Sequence, residues 1–526
     1  MRCTLIGSIG AALAAAIVAG EAAAQDDDKT PPSLQHIGAS VSWDKAGQLE
    51  AIFLDDRNVA DADLAMLARF RTVRRVNLDG TRVTDGGLEA LVLLGDLTDL
   101  SLARTSVTGL TKLVGLSKLR DLYLDESAAD DTLAGFARRS PALTDLGLGG
   151  TRVGDGFLAG IAGHPSIERI DLADTPVGDG GMASLGTLKR LVSLDLHGTR
   201  VGDAGVAQLG GLVEIHALDL SGTKVGDAGT AHIAGMTSMY RLDLSDTKVG
   251  DAGMAALAGM TSLYKLDLSG TKAGDAGMAH LAGHDYLEEL DLSGTQVGDA
   301  GLAHLAGLPR LRVLHLTGTK VGDAGMAHLA GLPALTHLIL TGTNVGDAGM
   351  AHLGRSTVLY YLDLDGTKVG DAGMAHLSRS REIAGLQLGD TRVTDAGMAH
   401  LAKMPQLGFL NLSGTRVGDA GMAHLAKLAE LEGLDLSGTR VTGAAAASIQ
   451  GMGHLIELDL SATAFDDAGL EAMVHEAGYS HSFAVLNLKG TRTTPGGIDR
   501  FVSKQLPGGI SLDAKVGKKQ VRTTIW

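Results

Sequence analysis

Carboxylates, imidazoles and cations recur in this chain at a fixed 24-residue spacing, and each series could do chemistry of its own. Asp171, Asp195, Asp219, Asp243, Asp267 and Asp291 form the longest run, continued at Asp363, Asp435 and Asp459, with Asn77, Asn411 and Asn487 in the same phase. Brought side by side, such carboxylates would repel one another, raise some of their pKa values, and favour calcium or a cationic partner. The plainer reading is that Asp copies a repeat consensus and is offset by Arg241, Lys265 and nearby serines. A second series, His232, His280, His304, His328, His352, His376, His400 and His424, could bind zinc or nickel or become charged below about pH 6.5. It lacks mixed ligand spacing and carboxylates to orient the rings, so it reads better as a duplicated surface residue. The third series, Arg200, Lys224, Lys248, Lys272, Lys320, Lys368, Arg392, Arg416 and Arg440, stands for the most part three residues ahead of aspartates and reads as a mixed-charge, solubilising rim.

Motifs for group transfer or hydrolysis are missing. The chain has no GxxxxGK(S/T) phosphate loop, no GxSxG elbow and no HExxH pair. His475, Glu476 and His481 come nearest, but the two histidines are six residues apart and would not share a helical face, so the segment reads as a loop insertion. Cys3 is the single cysteine, which excludes disulfide frameworks and thiolate zinc sites from the remainder. No cofactor is expected, and the chain reads as a non-enzyme.

Composition points the same way. Gly occurs 74 times in 526 residues and aromatics make up 3%, so a core built on large rings is excluded and a repeat is the natural source of the bias. A formal charge of −16 argues against non-specific nucleic-acid binding, which needs a positive field. Residues 1–24 carry a basic start, an apolar run over 5–20 and small residues before Ala24, the pattern of a cleaved secretory signal peptide. That run is shorter than the roughly 20 residues that span a bilayer, so the mature chain is expected to be uninserted, monomeric, and secreted, periplasmic or at the cell surface.

Aligning the chain on Leu218-Asp219-Leu220-Ser221-Gly222-Thr223 exposes the elements that must position these series. The block returns in the same phase from Leu122 to Leu458, with one 22-residue step back to Leu100 and one 28-residue step on to Leu486. Nineteen coils start between Ile52 and Leu486, and a degenerate one follows at Ile510. In each, two leucines flank an outward Asp on a strand, Thr223 turns inward, Val225 fills the bend, and Asp227 is placed to cap a short helix. Met254, Leu257 and Ala258 give that helix one buried face. A lone coil cannot bury both its strand and its helix, so stacking must create the core. The expected organisation is a signal peptide at 1–24, a polar linker and N-terminal cap at 25–45, the repeats at 46–513 and a basic tail at 514–526.

The consensus LDLSGTKVGDAGMAHLAGL resembles the leucine-rich-repeat superfamily. Its T-x-V-x-D-A-G half is similar to the cysteine-containing subclass of F-box proteins and bacterial secreted repeats, with Thr in the Cys or Asn position. The resemblance implies an α/β solenoid: a horseshoe with a parallel sheet on its concave side and short helices outside. Strands about 4.8 Å apart would give a concave arc on the order of 90 Å, suited to a macromolecule. A protein partner on that face is therefore expected, bound by the outward Asp219, Asp243, Asp267 and Asp291 and by the stretch where the Asp/Ser consensus breaks. That stretch runs through Val313, His315, His337, Ile339, Tyr360, Tyr361 and Phe409, whose apolar and aromatic groups are typical interface anchors. The alternatives are a metal- or cation-binding surface protein and a ubiquitin-ligase-type substrate receptor. For the receptor, no F-box is found, since residues 1–45 are taken up by the signal peptide and the polar stretch at 26–33.

Overall fold

The computed structural model describes residues 30–474, 483–505, 512–516 and 519–523. The chain divides into two compact units, Met1–Lys272 and Ala273–Trp526.

The first unit opens with the short helix Pro32–Gln35 and then Ser40–Trp43, a strand antiparallel to Leu49–Phe53. From Leu49–Phe53 onward ten parallel strands follow in chain order, the last being Lys265–Asp267. The second unit holds nine described parallel strands, from Glu289–Asp291 to Val485–Asn487. Each of the nineteen expected coils thus contributes one strand. Pairing always sets a residue against its counterpart one coil away, and this holds across the 22-residue step, where Leu100 meets Leu122, and the 28-residue step, where Leu458 meets Leu486. The nineteenth coil continues into the helix Pro495–Gln505, and Leu512–Val516 pairs antiparallel with Lys519–Thr523. Ile510, the expected start of the last coil, lies outside the described residues, as does the signal peptide. Among the described residues, no helix is long and apolar enough to cross a membrane.

Stacked leucines make the core. Leu218, Leu242 and Leu266 are buried one above another, as are Leu220, Leu244 and Leu268, and a fully buried side chain of this size stabilises by about 1.5–3 kcal/mol. Thr223 turns inward as expected, and its hydroxyl donates to Leu220 O at 2.5 Å, sealing the turn; Thr247 and Thr271 repeat the bond. The turn needs a left-handed residue: Gly222 supplies it at φ +65°, and Asp246 at +53° one coil later.

Two details differ from expectation. Asp227 does not cap its own helix, Asp227–Ile233, whose N-cap is Gly226. It is the first helical residue, and its Oδ1 accepts the amides of Gly250 and Gly253 in the following coil, at 2.7 and 3.0 Å. Asp203, Asp275, Asp323, Asp347 and Asp395 do the same. Ala258, expected in the core, is exposed. Helix Asp251–Met254 tightens into a 3₁₀ turn at Ala255–Gly259, so burial recurs every third residue, at Met254, Leu257 and Met260.

Candidate binding surface

The aspartate series ends the strands. Asp219 Oδ1 accepts Ser221 N at 2.8 Å and Ser221 Oγ at 2.5 Å, and Asp243, Asp267 and Asp291 hold the amides of Ser245, Ser269 and Ser293 alike. This is an Asx turn, in which a side chain two residues upstream replaces a backbone acceptor. Register sets Asp171, Asp195, Asp219, Asp243 and Asp267 side by side. Strand parity gives these side chains their face but not their depth: Asp219, Asp243 and Asp267 are buried, walled in by the turn and the flanking coils, and Asp291 is half-buried. Burial, reinforced by the neighbouring carboxylates, pushes Asp195 up to about 8 and Asp243 to about 7. Asp195 Oδ2 has no hydrogen-bond partner.

The second unit offers a different face. Val313, His337, Tyr361, Gly385, Phe409 and Gly433 lie in one row across neighbouring strands, and His315, Ile339, Asp363, Gln387, Asn411 and Asp435 form the row beside it. The structure therefore brings together the six expected anchors, His315, His337, Ile339, Tyr360, Tyr361 and Phe409, whereas Asp219, Asp243 and Asp267 belong to the first unit. The His337 and Tyr361 rings stack at 5.9 Å and 25°, and Tyr360 is 6.1 Å away. Burial, then the nearby Arg312 and His315, hold His337 below the usual imidazole range. Tyr360 and Phe409 are 54% and 47% exposed.

Two glycines lay these rings flat. A Cβ on Gly385 would stand 2.6 Å from Tyr361 Cδ2, and one on Gly433 would stand 2.6 Å from Phe409 Cδ1. Each ring covers the backbone of the next strand, an arrangement a larger residue would prevent, and Phe409 shows its other face to solvent. Asp365 closes the patch: it accepts Gly389 N at 2.5 Å and the Asn411 amide, and burial followed by Asp363 pushes it to about 6.

Sequence reasoning missed a charged groove of about 650 Å3 in the first unit. There Arg75, Asp99, Asp121, Asp145 and Arg169 stand in register, a cation at each end of three carboxylates. Arg169 Nη2 donates to Asp145 Oδ2 at 2.7 Å, and Arg75 pairs with Glu50 at 3.5 Å. Burial, then Asp145 and Asp99, push Asp121 to about 7. The groove is lined in addition by Arg74, Lys118 and Arg120, so cations face the carboxylate row along its length. The signal was the charge at the first outward strand position of five successive coils.

The histidines of the second series are exposed or half-buried, and they sit at helix C-termini where a cation complements the dipole. Among the described residues, no three His, Cys, Asp or Glu side chains are grouped to hold a metal ion. His475, Glu476 and His481 lie outside those residues.

Comparison with known proteins bears on the repeats. A profile described as Leucine Rich repeat matches residues 71–92, 235–258, 285–306, 308–330 and 332–354. No curated protein matches the chain. Among solved structures, a leucine-rich-repeat protein of Leptospira interrogans superposes with a TM-score of 0.55 at 15% identity, over 76% of this chain and 99% of that one. The mouse RP105/MD-1 complex gives 0.50 at 16%, over 85% and 88%. An internalin of Listeria monocytogenes gives 0.49 at 21%, over 67% and 94%. None of these indicates an enzymatic family, and at such identities they speak to fold alone. Five stretches of the chain thus match the leucine-rich-repeat profile, and the fold is that of a leucine-rich-repeat solenoid.

Proposed function

We propose that the chain is a non-catalytic, monomeric, extracytoplasmic scaffold that binds a protein partner on the solvent face of its second unit's sheet. The observation that carries this reading is the pair of outward rings, Tyr360 and Phe409, beside His337, Ile339 and Tyr361 on the same sheet. Large exposed aromatic groups held rigidly are the usual anchors of protein interfaces, since they bury much area for little lost entropy. The solenoid fold commonly serves as a binding scaffold, and the mouse neighbour is itself a protein complex. Secretion rests on the signal-like residues 1–24.

A photo-reactive phenylalanine analogue at position 409 should form protein adducts in intact cells, while the same analogue at the exposed helix position of His232 should not. Adducts equally frequent at both positions would sink the assignment of the face. Recovery of the chain in the cytosol with Met1 retained would sink the extracytoplasmic part.

A further inference from the structure

The two outward strand rows that carry Tyr361 and Phe409 carry acids and no lysine or arginine, and the nearby Arg312, just before the strand of Val313, pairs with Glu288 at 3.5 Å. From Glu289 to Glu457 neither outward row contains a lysine or an arginine, whereas Asp363, Asp435 and Asp459 all stand on it. Each flat ring also has a carboxylate beside it. The Phe409 ring lies over Gly433, and Asp435 is two residues on along that same strand, hence on the same face about 7 Å away. Tyr361 has Asp363 two residues on along its own strand, whereas Gln387 holds the place beside Gly385 that Asp435 holds beside Gly433.

We propose that this face takes the basic side chains of an extended protein segment, with one guanidinium or ammonium over the Phe409 ring against Asp435 and a second over the Tyr361 ring against Asp363. The proposal rests on the reading of this face as the partner-binding surface and names the chemistry of the partner. A cation within about 6 Å of a ring centroid is attracted by the ring quadrupole, and a carboxylate one pleat away completes the site. The unit already shows the first half of this arrangement: the Arg310 guanidinium carbon is 4.6 Å from the centroid of Tyr286, a tyrosine 56% exposed.

Spacing selects the segment. Tyr361 and Phe409 are two strands apart, about 9.6 Å. A polyproline-type chain rises about 3.1 Å per residue with three residues per turn, so side chains at i and i+3 share a face about 9.3 Å apart. A segment of the form Arg-x-x-Arg crossing the strands would seat both cations.

The test measures binding of labelled dodecapeptides to the purified chain by fluorescence anisotropy, with arginines at i and i+3, at i and i+1, or replaced by glutamine. The i, i+3 peptide should bind most tightly, weaken as salt is raised, and lose about tenfold in affinity with Phe409→Leu or Asp435→Asn. The Asp435→Asn side chain keeps an acceptor for Ser437 N, now bonded at 2.8 Å, so an unchanged melting temperature would separate lost binding from lost folding. Equal affinity for the glutamine peptide overturns the proposal. A random peptide display would separate it from the broader reading. Selection of neutral or acidic peptides that Phe409→Leu abolishes overturns the basic-partner inference and leaves the surface standing. Selection of no peptide that depends on Phe409 or Tyr360 overturns both. Binding of a soluble β-glucan through the same ring also overturns the inference.

Discussion

Asp195 concentrates the electrostatic tension of the first unit in one carboxyl group. It is fully buried, one oxygen holds His197 N at 2.8 Å, and the other has no partner. Its folded-state pKa of about 8 lies above the ordinary 3.8, so between those values the folded chain binds more protons than the unfolded one. Stability from this group is therefore greatest at low pH, falls as pH rises from about 4, and is lowest above about 8. Asp195→Asn should raise the melting temperature at pH 8.5, by about 1–3 kcal/mol in stability, and the gain should fade as pH approaches 4. Asparagine is native to the same row, where Asn487 Nδ2 donates to Asp459 at 2.7 Å. A gain by scanning calorimetry that is equally large at pH 4.5 would contradict the charge argument. The aspartate row itself was legible in the sequence, but its depth was not. Strand parity says which face a side chain takes, whereas its burial depends on turn atoms two residues on and on the coils stacked to either side.

At the scale of the element, the coil is held by bonds that skip to its neighbour. The short helices begin with an Asp whose carboxylate serves the next coil, so removing one should loosen a helix it does not belong to. Asp227→Ala leaves the Gly250 and Gly253 amides without their acceptor and should cost about 1–2 kcal/mol, in the range of lost helix caps. Hydrogen exchange should report the loss at Gly253, while the amides inside Asp227–Ile233 keep their protection. Faster exchange confined to residues 228–233 would instead restore the cap within its own helix. That Asp227 caps a helix could be read from its place before an apolar turn; which helix could not, because the amides served lie 23 and 26 residues downstream. Strand positions and the spacing of coils were fully legible, being fixed by leucines in phase. The flat rings at Tyr361 and Phe409 were legible only as aromatic outliers, since their orientation depends on Gly385 and Gly433 in the adjoining coils.

Over the whole chain, phase matters more than count. Strands stay in register across the 22-residue and 28-residue steps because the extra or missing residues fall between one coil's strand and the next, and each coil meets only its neighbours. Removing residues 200–223 takes out one 24-residue period within the first unit and joins Thr199 to Lys224, two positions that follow equivalent turns. Ser193–Asp195 would then pair with Arg241–Asp243, keeping leucine on leucine and aspartate on aspartate. Removing residues 200–211 deletes half a period and sets helix against strand, so apolar columns and Asx turns fall out of line. The in-phase variant should unfold cooperatively with a modestly lower melting temperature, while the half-period variant should lose its cooperative transition in circular dichroism. Equal cooperativity in both would mean that stability lies inside single coils and not in their stacking, which the burial of every strand leucine between coils argues against.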